Sequence, residues 1–198
     1  MSLVQAYINE NFILACGEQK AKLTDGTIIE NFIKVHKINP YTIIGLTGTI
    51  EGNYTLFSDY INEDFTLKNT LPRHKYTDIE QKTILKYNIN YEYFKSHPVI
   101  SLICGWDGQK MTGKTFFSNL GRNAINDLTP KYSGHIRLVN CGLDMHNENA
   151  EKMSRLNPPK NILQLKNMFK DVIDEGIKFD NTINKNITFQ KIKRSDFE

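Results

Sequence analysis

Apolar residues along this chain keep changing their spacing. That order of periods constrains the fold more than any single motif does. "VQAYI" and "FILAC" are short β-rich runs on either side of "NEN", the pattern of a hairpin. "TIIENFIKVHKI" alternates in part before it meets Asn39 and Pro40, and "YTIIGLTG" reads as a buried strand ending on glycines. The first fifty residues therefore predict four or five strands with tight turns. "NYTLFSDYINEDF" and "TDIEQKTILKYNINYEYF" then take helical spacing, with Thr77 or Asp78 as the cap of the second. "VISLICGWDG" returns to strand, "KTFFSNL" fits strand or helix, and "HIRLVNCG" is another strand. From Asn147 the spacing is helical twice, interrupted at "NPP", and the later helix sets Leu165, Phe169, Val172, Ile173 and Gly176 on one stripe. "NITFQKIK" alternates as a last strand. Regular βαβ alternation is excluded. The order implies an α+β chain, antiparallel sheets with helices packed outside them.

A chain of 198 residues is expected to form one domain, 1–198, and its apolar share is ample for a core. The net charge of +3 is mild and its Lys and Arg are scattered, so a nucleic-acid partner is not expected. Cys16, Cys104 and Cys141 are far apart and odd in number, which suits a reducing compartment rather than a disulfide framework. Neither C-x-x-C nor H-E-x-x-H occurs and the histidines are dispersed; no metal or cofactor is expected. No apolar run reaches membrane-spanning length and no secretory pattern opens the chain, so the expected location is cytoplasmic, with no membrane partner.

One motif points elsewhere. "GQKMTGKT", residues 108–115, fits the phosphate-loop pattern G-x-x-x-x-G-K-[ST], with Lys114 and Thr115 for the phosphates and magnesium and Asp144 as a distant acid. Such a loop needs a strand before it and a helix after it, whose N-terminal N–H groups face the anion. Gln109, Lys110 and Met111 fill the loop where small residues are usual. The surrounding order of elements favours a hairpin, with Gly108 and Gly113 as turn glycines and Lys114 opening the second strand.

A longer pattern covers most of the chain. "AYINENFILACGEQKAKLTDG" followed by "KVHKINPYTIIGLTGT" resembles the N-terminal half of proteasome β-type subunits, of the N-terminal-nucleophile hydrolases. The likeness continues through "ISLICGWDG" and "RLVNCG" and ends at "FDNTINKNITFQKI". It implies a four-layer α/β/β/α sandwich of two antiparallel sheets. It also implies hydrolysis of a peptide or amide substrate, with self-association into a homo-oligomer. In that chemistry a hydroxyl or thiol on the first residue attacks the carbonyl and its own α-amine serves as base. The resemblance assigns the nucleophile to Ser2 once Met1 is removed. It matches Lys34 to the catalytic lysine, Gly48 to the oxyanion donor and Asp180 to the late acid. Glu18 stands where the family has aspartate, Cys141 where it has a serine that binds the amine, and Ile183 where it has a second serine.

Without the resemblance the same residues read plainly. Lys34 is a strand lysine facing water, Glu18 a turn residue, Gly48 a tight-turn glycine and Asp180 a turn cap. The cysteines read as buried and inert, and Trp106 as core or turn packing. Cys141 with His146 would be a nucleophile pair lacking an evident third group. Three functions follow: a proteasome-like hydrolase, a catalytically inactive scaffold or binding subunit of that fold, and a nucleotide-binding protein using residues 108–115.

Overall fold

The computed structural model describes residues 3–23, 25–69, 74–120, 124–141 and 161–197. The elements, in order, are β1 (Val4–Ile8), β2 (Phe12–Glu18), β3 (Ala21–Lys22), β4 (Ile28–Ile29), β5 (Val35–Asn39), β6 (Thr42–Gly45), α1 (Ile50–Phe57), α2 (Tyr76–Ile89) and α3 (Tyr91–Ser96). They continue as β7 (Ile100–Trp106), β8 (Met111–Phe117), β9 (Ile125–Asp127), β10 (Arg137–Cys141), α4 (Ile162–Phe179) and β11 (Ile187–Lys193). One antiparallel sheet has the order β10-β1-β2-β11 and a second has β5-β6-β7-β8-β9, beside the small β3-β4 pair.

Side chains alternate across each strand, so a buried strand feeds two cores at once. Val4, Ala6 and Ile8 of β1 and Ile13 and Ala15 of β2 pack between the sheets, against Ile43, Leu102 and Cys104. Their neighbours Tyr7, Leu14 and Cys16 point the other way, onto Leu165, Phe169, Val172 and Ile173 of α4. Across the other sheet, Ile44 and Ile103 face Leu56, Phe57, Ile79 and Tyr87 of α1 and α2. These three cores, separating helix, sheet, sheet and helix, are the α/β/β/α sandwich that the order of periods and the resemblance imply. They also explain why β1, β2 and β7 read as nearly continuous apolar runs.

Several local expectations change. The first fifty residues hold six strands; β3 and β4 have two residues each, because "TIIENFIK" turns before its alternation can extend. Helix α2 begins at Tyr76 behind Lys75, which stands two residues ahead of Thr77 and three ahead of Asp78, since Tyr76 is fully buried and anchors the first turn. "KTFFSNL" is mostly strand. The helix expected from Asn147 lies outside the described residues, as do His146 and Asp144.

Residues 108–115 are not a phosphate loop. Asp107, Gly108, Gln109 and Lys110 make the β7–β8 turn, with Gly108 at φ 104° and the Asp107 carboxylate accepting from the Gln109 and Lys110 N–H groups. Gly113 is a strand residue rather than a turn glycine; it pairs with Cys104, and a Cβ there would lie 3.0 Å from the Cys104 Cβ. Lys114 is in mid-strand, paired with Glu80 at 3.5 Å and Asp127 at 3.4 Å. No helix N-terminus follows Gly113, so the donors that would cradle phosphate are spent on the ladder.

Candidate active site

Glu18 ends β2 and Lys34 stands just before β5, in opposite sheets. Both are buried, with Lys34 1% exposed and Glu18 0%. The Lys34 ammonium donates to Glu18 Oε1 and to the Lys20 carbonyl. The same Oε1 accepts the Leu3 N–H at 3.3 Å, and Oε2 accepts the Lys20 N–H at 2.7 Å. A buried charge is tolerable only when paired and hydrogen-bonded, and this one is both. Lys34 is therefore not a water-facing strand lysine, and Glu18 is more than a turn residue; the extra methylene relative to aspartate does not break the pair. Burial, the largest effect, holds the Lys34 pKa below its ordinary value, against the opposing pull of Glu18 and, more weakly, Asp180.

Asp180 follows α4 and its Oδ1 accepts from the Thr182 N–H at 2.8 Å and hydroxyl at 2.6 Å. Its loop is tied to the lysine site: Lys20 Nζ donates to the Asn181 carbonyl at 2.8 Å, and the Gln19 N–H donates to Asn184 Oδ1 at 3.1 Å. Asp180 thus does cap a turn, and its charge also acts on Lys34.

Gly48 sits where β6 crosses to α1, at φ 94°. A Cβ there would run into the Pro98 carbonyl, so glycine is required by both space and dihedral. Gly48 bridges Val99 through bonds from the Ile100 N–H to Thr47 O (3.1 Å) and from the Thr49 N–H to Pro98 O (2.7 Å). In this antiparallel pattern the Gly48 N–H takes no part in the bridge and points away from Val99. Asn53 fixes the peptides around it: its Nδ2 donates to Thr47 O and Thr49 O, both at 2.7 Å, while its Oδ1 accepts from Ser101 at 2.6 Å. The Thr47 hydroxyl, bonded to Ile100 O, closes the brace. The sequence offered no sign of Asn53 or Ser101. Their role emerges only once Thr49 is known to cap α1, because the cap places Asn53 one turn along the buried side.

Lys34, Gly48 and Asn53 line one cleft of about 120 Å³ of mixed character, with Lys22 and Thr47 beside Phe32, Leu46 and Ile50. Phe65, at φ 62° and with its ring 4.8 Å from Phe32, separates it from a wider cleft of about 780 Å³. Phe32, Ile50 and Phe65 line both.

The other expected residues divide. Ser2 lies outside the described residues. Cys141 pairs with Val4 at the end of β10, fully buried, and burial pushes its thiol up to about 12. Cys16 and Cys104 are also buried, with thiols pushed up further. Ile183 is buried among the residues under α4. Trp106 packs as expected, stacked on Phe197 at 5.7 Å with the Arg194 guanidinium over its ring. Among the described residues no cluster of His, Cys, Asp and Glu could hold a metal, and no helix is long and apolar enough to cross a membrane.

The class that these layers define is the proteasome-like N-terminal-nucleophile fold, and solved structures share it. One is an Anbu (Gly-1) mutant from Hyphomicrobium sp. strain MC1, with TM-score 0.72 and 9% identity, covering 100% of this chain and 84% of that one. Another is eukaryotic HslV from Trypanosoma brucei, with TM-score 0.56 and 10% identity, covering 97% of this chain and 99% of that one. No family model and no curated protein matches the sequence.

Proposed function

We propose that this chain is a proteasome-like N-terminal-nucleophile hydrolase that cleaves peptide or amide bonds, with Ser2 as nucleophile after removal of Met1. The observation that carries the reading is the buried Lys34–Glu18 pair beside a cleft that also exposes the Gly48 backbone. Glu18 accepts the Leu3 N–H, and Ser2 is one Cα–Cα step, about 3.8 Å, from Leu3. The residue that follows the proposed nucleophile is thus hydrogen-bonded to the carboxylate that pairs with Lys34, which supports the reading.

The chemistry runs in two halves. Ser2 Oγ adds to the scissile carbonyl carbon as its proton passes to the Ser2 α-amine, whose ordinary pKa of about 7.7–8 suits a base near neutrality. The Lys34 ammonium stabilises the hydroxyl oxygen as it loses that proton. The carbonyl oxygen, now an oxyanion, accepts from the Gly48 N–H. Collapse breaks the C–N bond, and the leaving amine takes the proton held by the α-ammonium. Water then adds to the ester with the α-amine again as base, releasing the acid and restoring Ser2. The adjoining wider cleft, lined by Leu23, Ile29, Ile33 and Val35 among others, favours a substrate with an apolar side chain near the scissile bond. Homo-oligomerisation and a cytoplasmic location belong to the same reading.

Cys141 and Ile183 favour a second reading, a non-catalytic scaffold of this fold. At the two positions matched to amine-supporting serines, the chain has a buried thiol and a buried hydrocarbon. Hydrolysis of fluorogenic peptides by protein whose N-terminus is Ser2 separates the two. The hydrolase reading expects turnover that Ser2→Ala and Lys34→Ala each abolish. No turnover across a diverse peptide set leaves the scaffold.

A further inference from the structure

Helices α2 and α3 carry a surface that the cleft does not use. Their buried face runs Tyr76, Ile79, Thr83 and Tyr87 and continues to Phe94, whose ring stacks on Tyr87 at 5.6 Å. The Asn90 N–H donates to Lys86 O and the Phe94 N–H to Asn90 O, so the two helices join across Asn90 with their outward positions on the same side. The outward face consists of Asp78, Lys82, Leu85, Ile89, Glu92 and Ser96, spaced alternately four and three residues apart, and all six are exposed. This is the spacing of a helix-pairing seam. Leu85 is 59% exposed and Ile89 72%, and both lie at its centre. A single exposed leucine needs no explanation; an adjacent apolar pair centred in a charged seam does.

The charges indicate what covers it. Lys82 flanks the apolar pair on one side and Glu92 on the other. We propose that this face is an isologous contact between two copies of this chain, α2 and α3 running antiparallel about a twofold axis. Setting Leu85 against Ile89 of the second copy puts Lys82 opposite Glu92 on both flanks. The same register puts Gln81 opposite Tyr93, and Asp78 beside Ser96 and Lys95. Parallel pairing would oppose Lys82 to Lys82 and Glu92 to Glu92, so charge selects the antiparallel arrangement. Within one chain Lys82 reaches the half-buried Asp59 at 3.2 Å and Glu92 reaches the exposed Lys95 at 2.7 Å; Lys82 and Glu92 are themselves 58% and 78% exposed, open to a second copy.

Sedimentation velocity of the full chain over a wide concentration range tests this independently of any hydrolysis. Wild type is expected to self-associate. Ile89→Asp, at a position exposed enough to leave the fold intact by circular dichroism, should weaken association at least about tenfold. Lys82→Glu should weaken it about fivefold, and Lys82→Glu with Glu92→Lys should recover most of that loss. A monomer at every concentration overturns the proposal. So does association indifferent to Ile89→Asp, or a double charge swap that recovers nothing.

Discussion

Leu3 and Glu18 hold each other twice: the Glu18 N–H donates to the Leu3 carbonyl at 3.3 Å, and the Leu3 N–H donates to Glu18 Oε1 at 3.3 Å. The carboxylate that fixes the start of β1 is the one that pairs with Lys34. The first strand, the buried lysine and the turn at Lys20 are thus one hydrogen-bonded unit, and damage to Glu18 should reach all three.

That unit sets a stability prediction. Removing one partner of a buried ion pair leaves the other charge uncompensated, at a cost of about 3–5 kcal/mol. Glu18→Leu and Lys34→Met should each lower the unfolding free energy by that order in urea titrations. The double variant Glu18→Leu with Lys34→Met should lose clearly less than the two single losses combined. Simple additivity would mean that the pair is not coupled.

The lysine should also titrate early. Its pKa lies below 10.5 because burial outweighs the pull of Glu18 and Asp180. In a ¹⁵N titration its midpoint should fall below those of the exposed lysines. Glu18→Gln removes a group that raises the pKa, so the midpoint should move lower still. Between the folded midpoint and the ordinary value, the unfolded chain holds a proton that the folded one lacks. This group therefore makes stability rise with pH through that window. A midpoint at or above those of the surface lysines contradicts this.

Asn53 is expected to act through Gly48. Without its amide the Thr47 and Thr49 carbonyls lose their common donor, and the Gly48 N–H loses its fixed aim. Asn53→Ala should lower kcat roughly tenfold to a hundredfold with KM little changed. Asn53→Asp, which cannot donate, should not rescue it. A loss of stability at unchanged kcat would make Asn53 a brace for α1 alone.

The thiols give an inexpensive check. All three cysteines are fully buried with raised pKa values, about 12 for Cys141. Iodoacetamide at mildly alkaline pH should label none of them in the folded protein and all of them after unfolding. Rapid native labelling of Cys141 would revive it as a nucleophile.

The layers were legible in the sequence because a strand buried on both faces leaves an unbroken apolar run, as in "FILAC" and "SLIC". The amphipathic stripe of α4 was legible from Leu165 to Gly176 because a helix buried on one face repeats its apolar residues every three or four positions. Lys34 was placed by resemblance, since nothing in "FIKVHK" marks which lysine turns inward; Lys37, three residues on, reaches the Lys191 carbonyl at the surface. Gly113 misled because a glycine needed for close approach of two strands is spelled like one needed for a turn. Asn53 and Ser101 were invisible because their partners are backbone carbonyls, brought together by a crossing between β6, α1 and β7 that no local pattern encodes.

The proposed hydrolysis requires a free α-amine and hydroxyl on Ser2 acting together with Lys34. Intact-mass analysis after incubation with a peptide epoxyketone, which captures both groups of an N-terminal residue, tests it most directly. One adduct is expected, mapped to Ser2 and lost in Lys34→Ala. Protein that begins at Ser2 and takes up no adduct under any peptide sequence would contradict it.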